Sequence, residues 1–404
     1  MQSSMLLPVT DVEDVDDAVA ADWLSSVRFL SLSLTNYLSY RSAKLDFGDF
    51  TALVGPNGSG KSNAVSALKL LRDIPLHGLP AAIARRGGFD QLRHRSSGRP
   101  YDPAIRIDYQ VGDNPPSFYE LRLGSVKGKR YAVKRERGAV YVSGDQSYFD
   151  HEGGTLTYTE VIGGDDKLLS MREAHARVPP GQSAVTLSGG FAAYLTGIVL
   201  QSAQTLEINP SRISDLQEPA SVREFEPDGA NIASVFEEMS AHNRSELAEL
   251  LSVIVPGIVR IEPRHVADRL TMLFVQDLGQ GPREFFAKQM SDGTLRVFGI
   301  LVAMLQQRRP AMLAIEEPEI AIHLGALQTL VEVLTSHSEG SQIVITTHSA
   351  DIVDNLDMDD LRVVWTEQGS SRIASVAEHT REPVKRGLIT PGALLRADAL
   401  DPSA

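Results

Sequence analysis

Eight consecutive residues, Gly55-Pro56-Asn57-Gly58-Ser59-Gly60-Lys61-Ser62, satisfy the spacing G-x-x-x-x-G-K-[ST]. Glycines at these positions let backbone amides of Asn57, Gly58, Ser59 and Gly60 converge on an anion without Cβ clashes. A helix start directly after the loop adds unpaired N–H groups and a favourable dipole. Lys61 supplies a point charge for β- and γ-phosphate oxygens, and the Ser62 hydroxyl is a ligand for Mg²⁺. The chemistry this implies is binding of a nucleoside triphosphate.

Two further segments could act on that phosphate. "AMLAIEEPE" places Glu316 and Glu317 at the end of an apolar run, with Pro318 stopping it. Open parallel sheets bind ligands at such strand ends. Glu316 is the candidate carboxylate on the Mg²⁺ side, and Glu317 the candidate that polarises an attacking water. A second apolar run ends in Thr346-Thr347-His348-Ser349, which puts His348 where it can contact a γ-phosphate. "QMSDGTLRVFGILVAML" turns at Ser291-Asp292-Gly293-Thr294 into an apolar helix. Ser291 and the amides from Gly293 onward form a second helix-start anion site. Ser291 or Asp292 as a plain N-cap explains the same residues. The two roles are compatible, and a ligand role requires a nucleotide held by another subunit.

Hydrophobic periodicity supplies the elements that must hold these residues. Strand-like segments run from Val27 to Phe50, and the phosphate loop stands between an apolar strand (50–54) and a helix from Ser62 to Leu71. Alternating segments with Gly turns between Ile105 and Phe149 predict an antiparallel meander. Helical patterns dominate from Thr155 to Ile258 and short strands return over 259–274. A helix follows from Thr294 to Gln307. Then come buried-type strands at 311–315 and 342–347 with a helix between them. Buried strands alternating with helices predict a largely parallel sheet in an α/β fold. The expected organisation is an acidic tail (1–21), an N-terminal half of the core with the phosphate loop and meander (22–155), a helical lobe (156–258) and a C-terminal half (259–404).

The order of phosphate loop, Ser-Asp-Gly-Thr turn, acidic strand and Thr-His-Ser resembles the ABC-type ATPases of the RecF, SMC and OLD group, closest to small bacterial members carrying "SDGT" and "EEPE". It covers about residues 27–60, 228–240 and 285–355; "ANIASVFEEM" is a further shared segment. The resemblance implies an ABC-ATPase head with a mixed, largely parallel sheet, an antiparallel β subdomain and an inserted compact helical lobe. It implies ATP and Mg²⁺ as cofactors, and a homodimer that sandwiches ATP. It also implies Glu317 as catalytic base, His348 as switch histidine, and Ser291 reaching the partner's γ-phosphate. Gln91 in "GGFDQLRHR" is the candidate for the group's glutamine loop, touching nucleotide and Mg²⁺. The pattern departs at Glu316, where the group usually has Asp, and at His323, where many ABC proteins have Asp. "LSGGF" (187–191) imitates an ABC signature but precedes the acidic strand by far, and reads as packing or a turn.

Bulk properties bound the rest. The 404 residues carry a net charge of −13 and no cysteine, which excludes disulfides, thiolate metal sites and a uniformly basic nucleic-acid binder. No apolar run approaches the roughly 20 residues needed to span a bilayer, and the N-terminus does not read as a signal peptide, so a cytoplasmic protein is expected. Arg85, Arg86, Arg93, Arg95 and Arg99 form one basic cluster. Lys127, Lys129, Arg130, Lys134, Arg135 and Arg137 form another. They are either a DNA-phosphate contact or a solvated, partner-docking face. Asp357 and Asp359 imitate a metal pair. The function expected is an ATPase that couples dimerisation to nucleic acid or to an effector such as a nuclease, in DNA repair or anti-phage defence. A transporter ATPase and a regulatory module with little turnover are the alternatives.

Overall fold

In the computed structural model the described residues are 24–95, 101–127, 130–142, 145–162, 170–187, 190–221 and 224–403. The acidic tail expected at 1–21 lies outside them. The chain divides into two compact units: Met1–Ser42 with Leu70–Ser202, and Ala43–Lys69 with Ala203–Ala404.

The first unit is built on an antiparallel sheet of eight strands in the order Tyr40–Asp46, Val27–Tyr37, Ala104–Val111, Ser117–Val126, Arg130–Val142, Asp145–Glu152, Thr155–Ile162, Ser170–Arg177. Along Ala104–Val111 side chains alternate between faces. Ile105, Ile107, Tyr109 and Val111 are buried, and the residues between them are partly exposed. The sheet is larger than the expected meander and runs into the stretch read as a helical lobe. There "TLTYTEVI" (Thr155–Ile162) pairs with Asp145–Glu152 through residues that favour pleated surfaces. Helical character resumes at Gly190–Gln201.

The second unit holds the parallel sheet. Its order is Ala203–Leu206, Met312–Glu316, Gln342–Thr347, Phe50–Val54, Leu361–Glu367, Ser370–Ser375, parallel throughout except for the last strand. The strand ending in Thr347 lies between the one entering the phosphate loop and the one ending in Glu316. All three motifs therefore emerge at the same, C-terminal edge. Phe50–Val54 and Gln342–Thr347 are buried along their whole length, as strands covered on both faces must be.

The helix Asp292–Leu305 is buried almost all round, from Leu295 through Leu305 with Arg296 the break. Phe298 meets the Phe274 ring edge-on at 5.1 Å. Burying a side chain of that size stabilises by about 1.5–3 kcal/mol. Phe274 belongs to a three-stranded antiparallel sheet, Ile258–Val266, Arg269–Gln276 and Arg283–Phe286.

Candidate functional site

The phosphate loop leaves the sheet after Val54 and enters the helix Lys61–His77. Its glycines have different tasks. A Cβ on Gly55 (φ +152) would stand 2.1 Å from the Val364 carbonyl oxygen, so close strand packing requires glycine there. Gly58 (φ +78) meets nothing within 4 Å and is required by backbone shape alone. Lys61 is buried and folds back, its Nζ donating to the carbonyls of Gly55 at 2.7 Å and Pro56 at 3.0 Å. Burial lowers its pKa, and the nearby Glu317 and Glu319 charges oppose that shift. Among the described residues, the buried Ser59 hydroxyl has no hydrogen-bond partner. An unsatisfied polar atom in this glycine-rich loop fits an anionic ligand. Ser62 is exposed at the first turn.

The acidic strand end departs from the sequence reading at Glu316. Its Oε1 accepts from Lys69 Nζ at 2.8 Å, and Lys69 is also bonded to Glu207. Burial works against the Lys69 charge, but the hydrogen bonds to Glu207 and Glu316 hold its pKa above the usual value. Glu316 is therefore no free metal ligand. Mg²⁺ needs only one or two protein oxygens beside phosphates and water, so Ser62 fits that role at once and Glu316 fits after exchanging Lys69 for the ion. Lys69 was missed in the sequence. Its place two turns beyond Ser62 on the same helix was the available signal.

Glu317 sits at φ +45, and its N–H donates to the Thr346 carbonyl and hydroxyl at 3.0 and 3.2 Å. His348 lies beside it, with Nδ1 3.7 Å from Glu317 Oε1 and also 3.7 Å from Glu319 Oε1. The structure thus brings Glu317 and His348 together, and adds Glu319, to which the sequence reading gave no role.

Ser291 is the N-cap of the helix Asp292–Leu305, accepting from Thr294 N–H at 3.2 Å. Gly293 has a packing reason of its own. A Cβ there would stand 2.3 Å from the Ala321 carbonyl oxygen, in the turn that follows the acidic strand. Ser291 and Gly293 line a cleft of about 480 Å³ with Val253–Pro256, Ile322 and His323 among others, and none of its lining residues belongs to the phosphate loop. His323 caps the next helix, its Nδ1 accepting from Gly325 N–H at 3.2 Å. Arg296, one turn into the helix, is half-buried; burial lowers its pKa, opposed by Asp292, Glu317 and Glu319.

Gln91 falls in the first unit, in the short helix Phe89–Leu92, where its carboxamide accepts from Arg95 at 3.0 Å. Of "LSGGF", Ser188 and Gly189 lie outside the described residues and Gly190 starts the helix Gly190–Gln201.

The basic clusters are paired in part, at Arg86, Arg93, Arg135 and Arg137. Arg106, Glu120, Arg137 and Asp150 stand opposite one another on four successive strands. Glu120 accepts from Arg137 at 2.7 Å, Asp150 from Arg135 at 2.6 Å and Asp108 from Arg106 at 2.7 Å. Arg86 pairs with Asp73 at 2.9 Å. Arg99 and Lys129 lie outside the described residues. Asp359 is bonded to Arg381 and ties down the helix Glu378–Lys385, which gives the imitated metal pair a structural task. Among the described residues no group of three or more His, Asp or Glu side chains could hold a metal ion, and no helix is long and apolar enough to cross a membrane.

The family described as "AAA domain, putative AbiEii toxin, Type IV TA system" matches residues 50–138 and 201–354, more than half of the chain. Structural maintenance of chromosomes protein 1 of Arabidopsis thaliana is 30% identical over 112 residues, 27% of this chain and 9% of that protein. The Old nuclease of Escherichia phage P2 is 23% identical over 362 residues, 81% of this chain and 57% of that protein. The chain thus spans less than two thirds of either relative. Among solved structures, an SMC head bound to the C-winged helix domain of ScpA shares the fold with a TM-score of 0.56 at 15% identity, covering 88% of this chain and 99% of that one. An Smc head with an extended coiled coil derived from Pyrococcus furiosus gives 0.54 at 12%, covering 90% and 99%. The phosphate loop, acidic strand and Thr-His-Ser end, standing at one sheet edge in a fold shared with SMC heads, lead to one conclusion: the chain belongs to this AAA-domain family and is an ABC-type P-loop ATPase of the RecF/SMC/OLD group.

Proposed function

We propose that the protein binds and hydrolyses ATP with Mg²⁺, and that two copies close around the nucleotide to control a separate effector. The observation that carries the dimer is the placement of Ser291 and Gly293 in a cleft to which the phosphate loop contributes nothing. A second helix-start anion site away from the first has a use if it meets the triphosphate held by another copy. Lys61, Ser62 and the amides of Asn57–Gly60 hold the phosphates. Glu317 accepts the proton of the attacking water, and His348 beside it reads the γ-phosphate. Ser62 and, once Lys69 yields, Glu316 would hold Mg²⁺, which would supply positive charge against the triphosphate. Gln91, whose carboxamide is occupied by Arg95, is left out of this assignment.

The effector is a protein rather than DNA held on the antiparallel sheet. On that sheet Arg135 and Arg137 are already paired across strands with Asp150 and Glu120, which weakens their draw on phosphates. A nuclease is the leading candidate, given the resemblance to the Old nuclease, and cytoplasmic genome maintenance or anti-phage defence is the setting. Glu317→Gln tests the assignment: it should cut turnover by about 10²-fold or more and accumulate an ATP-bound dimer on size-exclusion chromatography. A variant that stays monomeric at saturating ATP would overturn the dimer.

A further inference from the structure

We infer that Glu319 is a positioning residue for this hydrolysis, acting through His348; the inference rests on the ATPase assignment above. Its Oε1 accepts from the Thr347 hydroxyl at 2.7 Å and from the His348 N–H at 3.3 Å. Thr347 Oγ1 in turn accepts from Ser349 N–H at 2.9 Å. Thr347 is wholly buried, so its hydroxyl needs that carboxylate, because a buried donor left unmet is costly. One carboxylate oxygen thus fixes the turn that carries the imidazole.

The same oxygen competes for the imidazole itself. Nδ1 of His348 stands 3.7 Å from Glu319 Oε1 and 3.7 Å from Glu317 Oε1. A single Nδ1–H can satisfy one of them. Glu319 is already anchored beside the ring by two donors, while Glu317 is the group required to accept from water. With Glu319 taking Nδ1–H, the ring tautomer is set, Nε2 is left for the phosphate side, and the Glu317 carboxylate stays available. The second oxygen, Oε2, is buried and, among the described residues, has no hydrogen-bond partner. The Glu319 side chain is 11% exposed, so solvent does little to support its charge. Such a group is expensive to keep for packing alone.

The experiment is steady-state ATP hydrolysis and ATP affinity for the full chain and the variants Glu319→Ala, His348→Ala, the double variant, Thr347→Val and Thr347→Ser. Glu319→Ala should lower kcat by about 10–100-fold with KM and ATP affinity within about twofold. The double variant should be no slower than His348→Ala, because the two residues act as a unit. Thr347→Val should reproduce the kcat loss at unchanged volume, and Thr347→Ser should restore most of it. Should Glu319→Ala not fold, the Val and Ser pair decides. Turnover unaffected by Glu319→Ala or Thr347→Val, additive losses in the double variant, or losses confined to ATP affinity would overturn the role of Glu319 while leaving the ATPase assignment intact. A wild-type chain without turnover would overturn both.

Discussion

Lys69 donates to Glu316 over 2.8 Å, so the carboxylate nearest the expected metal position is paired before any ion arrives. Neither partner is more than about a quarter exposed, with side chains 19% and 22% accessible. Mg²⁺ bound as proposed would therefore have to displace an ammonium group, or be held through Ser62 and phosphate oxygens alone.

That competition is measurable. Lys69→Met should lower the Mg²⁺ concentration giving half-maximal ATP hydrolysis several-fold, because Glu316 is released. It should also cost about 1–3 kcal/mol of stability, since Glu316 and Glu207 lose a shared counter-charge. An unchanged Mg²⁺ requirement would mean that Glu316 never joins the ion.

Ser291 caps its helix, and substitution can separate that task from the role proposed for it at a partner's triphosphate. Aspartate caps a helix as well as serine does. Ser291→Asp should therefore leave the melting temperature within a few degrees, while its charge repels a partner's triphosphate and abolishes the ATP-dependent dimer. Ser291→Ala should do the opposite in part, losing about 1 kcal/mol with the cap. Thermal melts beside size-exclusion runs with ATP distinguish the two.

Gly293 answers to Ala321. The Cβ of Gly293→Ala would lie 2.3 Å from a backbone oxygen, which cannot rotate away. A loss of about 1–3 kcal/mol is expected from the overpacking, and chemical denaturation would read it. A neutral result would show that the turn after the acidic strand shifts freely.

Burial raises the pKa of Asp360 from 3.8 to about 6, with Asp357 adding to it and Arg362 opposing. The folded state therefore binds this proton more tightly than the unfolded chain, and stability falls as pH rises from about 4 to 6. Asp360→Asn removes the penalty. It should stabilise at pH 7 by on the order of 1 kcal/mol, discounted because the group is partly open to solvent. The gain should vanish below pH 4, where both states of the wild type are protonated. Urea midpoints at the two pH values check it.

Sequence reasoning located the residues at strand ends because buried parallel strands and helix starts leave strong local signals. Phe50–Val54, Met312–Glu316 and Gln342–Thr347 are continuous apolar runs, and each delivers its polar residues at one edge. What stayed hidden depends on contacts distant in the chain. Nothing local to Glu316 announces Lys69, 247 residues away. Glu319 looked like a spare acid until Thr347 and His348 came beside it. The partners of Arg135 and Arg137 were hidden likewise, because Asp150 and Glu120 lie on neighbouring strands rather than nearby in sequence. The strand Thr155–Ile162 was legible in the alternation of Thr155, Thr157 and Thr159 with Leu156 and Tyr158, and differs from the helical reading of that stretch.

Glu317 occupies a backbone region that costs a side chain-bearing residue on the order of 1 kcal/mol or more. Glycine would sit there without that cost, so a chain judged by durability alone has no use for glutamate at this turn. With Glu317 acting on water as proposed, its presence here trades resilience against reactivity, and Glu317→Gly should melt no earlier while losing at least as much turnover as Glu317→Gln.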